Sequence, residues 1–276
     1  MASADHADAL AALVARSERM VVITGAGCST DSGIPDYRDA QGEWKRNPPM
    51  RFQQFLLSAA NRKRYWARSM AGWNLVARAE PNDAHRALAR LEDMGKLHLL
   101  ITQNVDGLHQ KAGSRNVIDL HGRIDQVRCL GCDRSMERHA FQHALRAANP
   151  QWRAFQVGYA PDGDADVEAA SFEDFRLPEC SSCGGDLKPD VVFFGESVPK
   201  PRVARAMTGL ADADALVIVG SSLMVWSGYR FVKAARKRGI PVAALTLGKT
   251  RADEELTMKV VAPCGPTLAR LVENPA

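Results

Sequence analysis

Short runs of apolar, β-branched residues recur along the chain and predict buried strands. Met20–Thr24 reads Met-Val-Val-Ile-Thr and has no polar side chain before its final residue. A strand of this kind has no solvent-facing side, which is typical of parallel sheets that are covered on both faces. Similar runs occur later in the chain, at 97–102, 215–219 and 242–246.

Helical patterns separate these runs. Apolar residues at helical spacing predict a helix over 7–18, and Asn82-Asp83 can cap a second helix that ends before Gly95. The same pattern predicts helices over 201–209, 229–238 and 267–273. Because strands and helices alternate, the sequence predicts an α/β fold with a doubly wound parallel sheet.

Two segments interrupt this alternation. Residues 41–79 are rich in Arg, Trp and Phe and look helical, whereas residues 122–189 contain paired cysteines and an acidic stretch at 162–168. We therefore predict a Rossmann-like large domain that carries a helical insert and a small, cysteine-bearing lobe. The prediction assigns 1–40, 80–121 and 190–276 to the large domain, 41–79 to the helical insert and 122–189 to the small lobe.

The composition is ordinary for a globular protein and excludes some classes of function. Hydrophobic residues make up 46% of the chain, charged residues make up 25%, and the net charge is +4. This small excess of positive charge suits an acidic ligand such as a dinucleotide but is too small to indicate nucleic-acid binding. No run reaches the roughly 18 apolar residues of a membrane helix, and no secretion or import signal is recognisable. We therefore expect a cytoplasmic protein with no nucleic-acid and no membrane partner.

Four of the six cysteines form two Cys-x-x-Cys pairs. In a chain without a secretion signal this pattern indicates a metal rather than disulfides, and four thiolates make a closed, structural zinc site. Free thiols or a thioredoxin-like redox pair are the alternatives. Cys28 and Cys264 stand alone and are expected to pack as small apolar residues. The predicted zinc ligands are Cys129, Cys132, Cys180 and Cys183.

A glycine turn follows the first predicted strand. Gly25-Ala26-Gly27 precedes an expected helix start at 29–32, and glycines there let backbone N–H groups approach a pyrophosphate. The third glycine of the usual dinucleotide fingerprint is replaced by Thr30, so the signal for a Rossmann oxidoreductase is weak. A tight turn that binds no ligand is the alternative.

Polar residues follow two further apolar runs, where parallel sheets bind their ligands. Asn104 and Asp106 could recognise an amide, although a cap on the next helix explains them more simply. His121 follows the apolar run at 117–120 and precedes a glycine, so it is a candidate general base. A hydrogen-bonded structural histidine is the alternative for this residue.

Together these motifs resemble the sirtuin family, over roughly residues 10–270 and in the family's order. The glycine turn and the residues after it resemble the NAD loop, Leu120-His121-Gly122 resembles the segment with the catalytic histidine, and the cysteine pairs match its zinc module. The amino-acid sequence of the NAD loop is most similar to that of the class II, mitochondrial-type branch. The remaining motifs lie at 102–109, 189–196 and 220–225.

The resemblance implies an NAD-dependent protein lysine deacylase that releases nicotinamide and O-acyl-ADP-ribose. It implies NAD as co-substrate, one structural Zn²⁺, acylated lysine in a protein or peptide as substrate, and His121 as the catalytic general base. The implied NAD-binding residues are Gly25, Ala26, Gly27, Ser29, Thr30, Asp36, Tyr37, Arg38, Gln103, Asn104, Val105, Asp106, Gly220, Ser221, Ser222, Thr246, Leu247, Gly248 and Cys264. The implied peptide-binding residues are Val192, Phe193, Phe194, Gly195 and Glu196.

The chain departs from the family pattern at two places. Thr246 stands where the family commonly has asparagine, so we expect a weaker NAD contact there. Family members that prefer succinyl or malonyl groups carry a Tyr-x-x-Arg pair in the helical insert. Tyr65 and Arg68 have this spacing, but alignment on the neighbouring tryptophan places Ser69 and Gly72 at the two positions. We therefore predict no carboxylate-binding pocket there, and the acyl preference stays open.

Other functions compete with the deacylase. Mono-ADP-ribosyl transfer to a protein would use the same cofactor. A non-enzymatic zinc-ribbon module could bind protein or nucleic acid, with the basic run at 62–64 as its best support, although such a run is more often a solvated helix face. A Rossmann oxidoreductase is disfavoured by the missing glycine. The oligomeric state is not predicted.

Overall fold

The computed structural model describes residues 2–152 and 171–273. The acidic stretch at 162–168 lies outside the described residues. The strands are β1 (Met20–Thr24), β2 (Leu97–Thr102), β3 (Val117–Asp119), β4 (Gly122–Cys129), β5 (Ser135–Glu137), β6 (Leu187–Val191), β7 (Ala215–Val219), β8 (Val242–Leu245) and β9 (Met258–Val260). The α-helices are α1 (Ala2–Arg16), α2 (Phe52–Leu57), α3 (Ala59–Arg78), α4 (Asp83–Asp93), α5 (Leu108–Lys111), α6 (Arg138–Ala148), α7 (Lys200–Ala211), α8 (Trp226–Arg238) and α9 (Cys264–Glu273).

Six parallel strands form the central sheet, in the order β3-β2-β1-β7-β8-β9. The chain proceeds outward from β1 in one direction and then outward from β7 in the other. The strand order therefore reverses between β1 and β7, and a doubly wound sheet binds its ligands at the carboxyl ends of the strands beside such a reversal. The expected doubly wound, Rossmann-like sheet is confirmed.

Helices cover both faces of this sheet and bury its apolar residues. On one face, Leu10 of α1, Leu88 of α4 and Leu268 of α9 belong to a single buried cluster. On the other face, Leu210 of α7 and Phe231 of α8 do the same. All five residues of β1 are buried, as its apolar sequence predicts, because helices pack on both of its sides.

A small antiparallel sheet, in the order β5-β4-β6, forms the core of the second lobe. It packs against α3 and α6 through a cluster that includes Trp66, Phe141 and Val127. The indole N–H of Trp66 donates to the carbonyl oxygen of Leu187 at 2.9 Å, which joins the helical insert to β6. The residue boundaries of the large domain, the insert and the small lobe stay a prediction.

Several expected elements differ in extent. β8 ends one residue before the predicted 246, β9 was not predicted because it is only three residues long and contains a lysine, and residues 41–51 are not helical. Helices α7, α8 and α9 each begin earlier than their apolar patterns predict. Among the helices of the described residues, none has an apolar stretch long enough to cross a bilayer.

Candidate active site

One cavity of about 960 Å³ opens where β1, β2 and β7 end, between the sheet and the small lobe. It is lined by the glycine turn, by the residues after β2, by His121, by 192–196 and by 220–222. Thr246, Leu247, Gly248 and Cys264 line it as well. The structure thus brings every residue proposed for cofactor, peptide or catalysis to one place, although their roles stay a prediction.

The glycine turn is built differently from the expectation. No α-helix begins at 29–32, because the segment forms two single 3-10 turns, at Ala26–Cys28 and Thr30–Ser32. The N–H of Gly27 donates to the carbonyl oxygen of Gly220 at 2.9 Å. A Cβ atom on Gly27 would lie 2.9 Å from that oxygen, so the close approach of the two loops requires glycine. The N–H groups of Gly25, Cys28 and Ser29 also donate to backbone carbonyl oxygens, so the turn would offer a pyrophosphate close backbone approach rather than the dipole of a long helix.

A polar network joins the glycine turn to the residues after β2. The hydroxyl of Ser29 donates to Asp106 Oδ2 at 2.7 Å, and Asn104 Nδ2 donates to Ser29 Oγ at 2.9 Å and to the carbonyl oxygen of Gly25 at 3.0 Å. Asp106 Oδ1 accepts from the N–H of Leu108 at 2.9 Å, so this carboxylate also caps α5. Burial raises the pKa of Asp106. The capping interpretation and the cavity position therefore both hold for Asp106.

His121 lies half-buried in the cavity wall, just after β3, and hydrogen bonds hold both of its ring nitrogens. Nδ1 lies 2.9 Å from the carbonyl oxygen of Gln103, and Nε2 lies 2.7 Å from Ser227 Oγ. A carbonyl can only accept, so Nδ1 carries the proton. Burial, with the hydrogen bond to Gln103 opposing it and the charges of Arg202 and Arg230 adding to it, lowers the pKa of His121 to about 4. The imidazole is thus neutral at pH 7, and the Nε2 lone pair can accept a proton.

Residues 192–196 form the cavity edge nearest the small lobe. The N–H of Val192 donates to the carbonyl oxygen of His121 at 2.8 Å, and the N–H of Phe193 donates to Glu196 Oε2 at 2.8 Å. Glu196 also pairs with Lys188 at 3.2 Å, and that lysine is buried. The segment is therefore held rigidly beside the catalytic candidate while its outer edge faces the cavity.

The loop that follows the glycine turn covers the opposite side of the cavity. The guanidinium of Arg38 stacks over Trp44 at 3.9 Å and donates to the carbonyl oxygen of Gly42 at 2.7 Å. Trp44 in turn contacts Phe194 edge to face, with ring centroids 5.4 Å apart. Asp36 pairs with Lys45 across the base of this loop. These contacts close the loop toward the peptide-side edge of the cavity.

Comparison with known proteins agrees with this architecture. The model of the Sir2 family matches residues 25–227, which are most of the chain. The chain belongs to the Sir2 family. A relative from Bordetella bronchiseptica, named NAD-dependent protein deacetylase, is 59% identical over 264 residues, which cover 96% of each chain.

Solved Sir2 structures share the fold. One, described as "Structural Basis for the Mechanism and Regulation of Sir2 Enzymes", has a TM-score of 0.77 at 32% identity and covers 98% of this chain and 97% of its own. Another, described as "Sir2-p53 peptide-NAD+", has a TM-score of 0.75 at 28% identity and covers 96% of each chain. The resemblance expected from the motifs is confirmed at the level of the Sir2 family.

The small lobe of this Sir2 protein places the four paired cysteines together. Their sulfur atoms all lie within 4.8 Å of one another. The Sγ atoms of Cys129 and Cys183 are 3.5 Å apart, and those of Cys132 and Cys180 are 3.8 Å apart. A tetrahedron with Zn–S bonds of about 2.3 Å has edges of about 3.8 Å, so these two separations are close to those of a four-sulfur zinc site. All four cysteines are free of disulfides, and four sulfur ligands leave no position for catalysis.

Within α3 of this Sir2 protein, the two positions aligned with the family's Tyr-x-x-Arg pair lie away from the cavity. Tyr65 lines it, but Ser69 and Gly72 do not. Ser69 is buried and accepts from the guanidinium of Arg138, which lies between the rings of Trp66 and Trp73. These residues form the core of the insert rather than a binding surface.

Three residues that the sequence did not single out also line the cavity of this Sir2 protein. Ser227 contacts His121, and Arg230 lies one helical turn farther along α8. The Nε of Arg230 is buried and has no hydrogen-bond partner among the described residues. Lys200, at the start of α7, is the third. The sequence could not reveal these residues by spacing, because Ser227 and Arg230 become neighbours of His121 only through the packing of α8.

Proposed function

We propose that the protein is an NAD-dependent protein lysine deacylase, of the deacetylase type. The single observation that carries the proposal is a neutral imidazole whose proton-accepting Nε2 lies in the wall of a cavity at the switch point of a Rossmann-like sheet. Close relatives over nearly the whole chain carry the name NAD-dependent protein deacetylase, which supports the same reaction. The reaction would consume one water molecule and give the free lysine, nicotinamide and O-acyl-ADP-ribose.

NAD would extend along the cavity from the glycine turn to His121. The close backbone approach that Gly25 and Gly27 allow suits the pyrophosphate, while Asn104 and Asp106 suit the nicotinamide amide at the other end. Gln103 joins two walls of the cavity, because its carbonyl oxygen holds His121 and its Nε2 donates to Ser221 Oγ at 2.6 Å. When bound, NAD supplies the ADP-ribosyl group that accepts the acyl group as nicotinamide leaves.

His121 would act as the general base. Its Nε2 would accept the proton of a ribose hydroxyl, and the resulting oxygen would take over the acyl group. The carbonyl oxygen of Gln103 keeps Nδ1 protonated and thereby keeps the lone pair on Nε2. The closed loop around Arg38 and Trp44 would exclude bulk water, which favours acyl transfer over hydrolysis of NAD.

The acylated peptide would lie along residues 192–196 as an added strand. The N–H of Val192 anchors this segment to His121, the carbonyl oxygen of Phe194 accepts from the N–H of Phe52, and all five residues line the cavity. Strand addition uses backbone hydrogen bonds, so it tolerates many sequences around the modified lysine. A Sir2 structure described with a p53 peptide and NAD is consistent with such an occupant.

Zinc would hold the small lobe together and take no part in the reaction. The ligands are the four paired cysteines, which the cluster geometry fits. Cytoplasmic location, the absence of a nucleic-acid partner and the membership in the class II branch stay predictions. The assignment of 1–40, 80–121 and 190–276 to an NAD-binding domain is likewise proposed.

Product analysis tests the proposed function. The protein is incubated with NAD and an acetyl-lysine peptide, and nicotinamide, free peptide and O-acetyl-ADP-ribose are quantified together. We expect equal amounts of the three. Nicotinamide release without peptide deacetylation, accompanied by transfer of label from NAD to protein, would indicate the ADP-ribosyltransferase instead. No product from any acyl chain would refute both.

A further inference from the structure

The first turn of α8 is fitted closely around His121. Ser227, the second residue of the helix, places its hydroxyl oxygen 2.7 Å from Nε2. Its neighbour Gly228 lies against Gln103, because a Cβ atom there would be 2.7 Å from Gln103 Oε1. The start of α8 therefore packs against Gln103, and the carbonyl oxygen of Gln103 in turn holds Nδ1 of His121. Both nitrogens of the imidazole are therefore fixed by this one arrangement.

The direction of the serine hydrogen bond follows from the other nitrogen. Because Nδ1 donates to the carbonyl oxygen of Gln103, a neutral ring has no proton on Nε2. Ser227 must then be the donor, and its proton occupies the lone pair that the reaction needs. Such a bond stabilises the neutral imidazole, since protonation of Nε2 would break it.

We propose that Ser227 is a positioning residue that holds Nε2 of His121 in the free enzyme and yields it to the ribose hydroxyl when NAD binds. The inference rests on the proposed role of His121 as base. The serine sets the ring orientation and the tautomer before substrate arrives. Its hydroxyl group occupies the position beside Nε2 that the ribose hydroxyl would take.

Charged groups around His121 could also change its pKa, so each is identified by the element that carries it. Arg202 on α7 and Arg230 on α8 are the charged groups whose repulsion acts on the imidazole. The carboxylate of Asp119 on β3 is engaged by Gln110 at 2.9 Å instead. From the loop after β2, the carbonyl oxygen of Gln103 bonds the imidazole, whereas the carboxylate of Asp106 bonds Ser29 and the N–H of Leu108. A change at Ser227 therefore alters the hydrogen bonding of His121 and leaves its electrostatic surroundings as they are.

The direct test is a histidine titration by NMR, which needs no turnover. Ser227→Ala removes the donor to the neutral ring, so we expect the pKa of His121 to rise by about 0.5 to 1 pH unit, the equivalent of one hydrogen bond. The acid limb of kcat/KM should move to higher pH by a similar amount. Ser227→Thr keeps a hydroxyl and should restore both values.

Ser197→Ala is the matched control, because Ser197 also lines the cavity but is exposed and does not contact His121. It should leave the titration and the pH profile unchanged. An unaltered His121 titration in Ser227→Ala would overturn the proposal. So would nitrogen chemical shifts in the wild-type protein that place the proton on Nε2, a readout that remains if the alanine variant does not fold. A shifted titration in a protein without deacylase activity would refute the proposed function and leave the hydrogen bond established.

Discussion

At the scale of single residues, the proposed reaction depends on His121 more than on any other side chain. Replacing it with asparagine removes the proton acceptor while preserving size and polarity. We expect kcat to fall by at least about 100-fold, the typical contribution of a general base. The affinity for NAD, measured by calorimetry, should change little, because in the proposed binding mode other residues would hold the pyrophosphate and nicotinamide ends. A variant that retains wild-type turnover would remove His121 from the mechanism.

His121 also shows what sequence alone could supply. Its position after a strand and before glycine predicted a candidate base, and the family resemblance strengthened that assignment. The tautomer could not be predicted, because it depends on contacts with Gln103 and Ser227, which lie 18 and 106 residues away along the chain. Nor could the lowered pKa, which comes from burial and from the charges of Arg202 and Arg230. Such contacts are determined by tertiary packing rather than by local spacing.

At the scale of elements, the glycine turn and the loop after β7 depend on each other. Gly220 has φ +59, and a Cβ atom there would lie 2.4 Å from the backbone nitrogen of Cys28. Gly220→Ala should therefore displace the glycine turn and weaken NAD binding by at least about tenfold, which is 1.4 kcal/mol. Calorimetric titration with NAD measures the effect.

Gly239→Ala is the control for this substitution. Gly239 ends α8 with φ +76, and no atom lies within 4 Å of the position that a Cβ atom would take there. It carries the same left-handed strain, about 1 kcal/mol, without the overlap. Both variants should lower the melting temperature, but only Gly220→Ala should weaken NAD binding. Equal NAD affinities in the two variants would contradict the close-approach explanation.

The zinc lobe is the second element with a definite prediction. Cys180→Ser removes one of four ligands, so we expect the zinc content to fall well below one per chain and the small lobe to lose its cooperative unfolding. Cys264→Ser is the matched control, because Cys264 is buried but donates to the carbonyl oxygen of Leu245 and belongs to no zinc site. Atomic absorption measures the zinc content of each variant, and thermal unfolding measures its cooperativity. Full zinc retention in Cys180→Ser would contradict the four-sulfur site.

The element scale separates what could be predicted from what could not. The apolar runs indicated β1, β2, β7 and β8, since buried parallel strands carry a strong signal. The same reasoning expected a helix directly after the glycine turn, which proved wrong. There, side chains such as Ser29 are drawn into bonds with Asp106 and Asn104, and the backbone takes short 3-10 turns instead.

At the scale of the whole molecule, buried histidines make stability depend on pH. Burial lowers the pKa of His85 and of His121 to about 4 and holds the pKa of His109 well below its usual value. Between the ordinary histidine pKa of about 6.5 and about 4, the unfolded chain binds more protons than the folded one, so stability is lost as pH falls. Burial raises the pKa of Asp106 and Asp119, which opposes this loss.

We therefore expect the free energy of unfolding in urea to be lower at about pH 5.5 than at about pH 7.5. His85→Gln should reduce that difference, because one depressed imidazole is removed. His139→Gln, at an exposed histidine, should leave it unchanged. A pH difference that is the same in all three proteins would show that buried imidazoles do not cause it.

The overall architecture was predictable because alternation of strands and helices leaves few topologies. The strand order β3-β2-β1-β7-β8-β9 was not, since it depends on which crossover helix packs on which face. That order creates the reversal between β1 and β7, and with it the cavity that collects residues from distant parts of the sequence. The function therefore belongs to the assembled sheet and small lobe rather than to any one motif.

The central claim is that this cavity presents the ribose of NAD to His121. The most direct measurement is a crystal structure of the protein with an acetyl-lysine peptide and an NAD analogue whose nicotinamide bond does not break. We predict a ribose hydroxyl oxygen within about 2.6–3.2 Å of His121 Nε2, in the place that Ser227 Oγ holds in the free protein. A ribose bound elsewhere, with Ser227 still on Nε2 and no substrate atom within reach, would contradict the account.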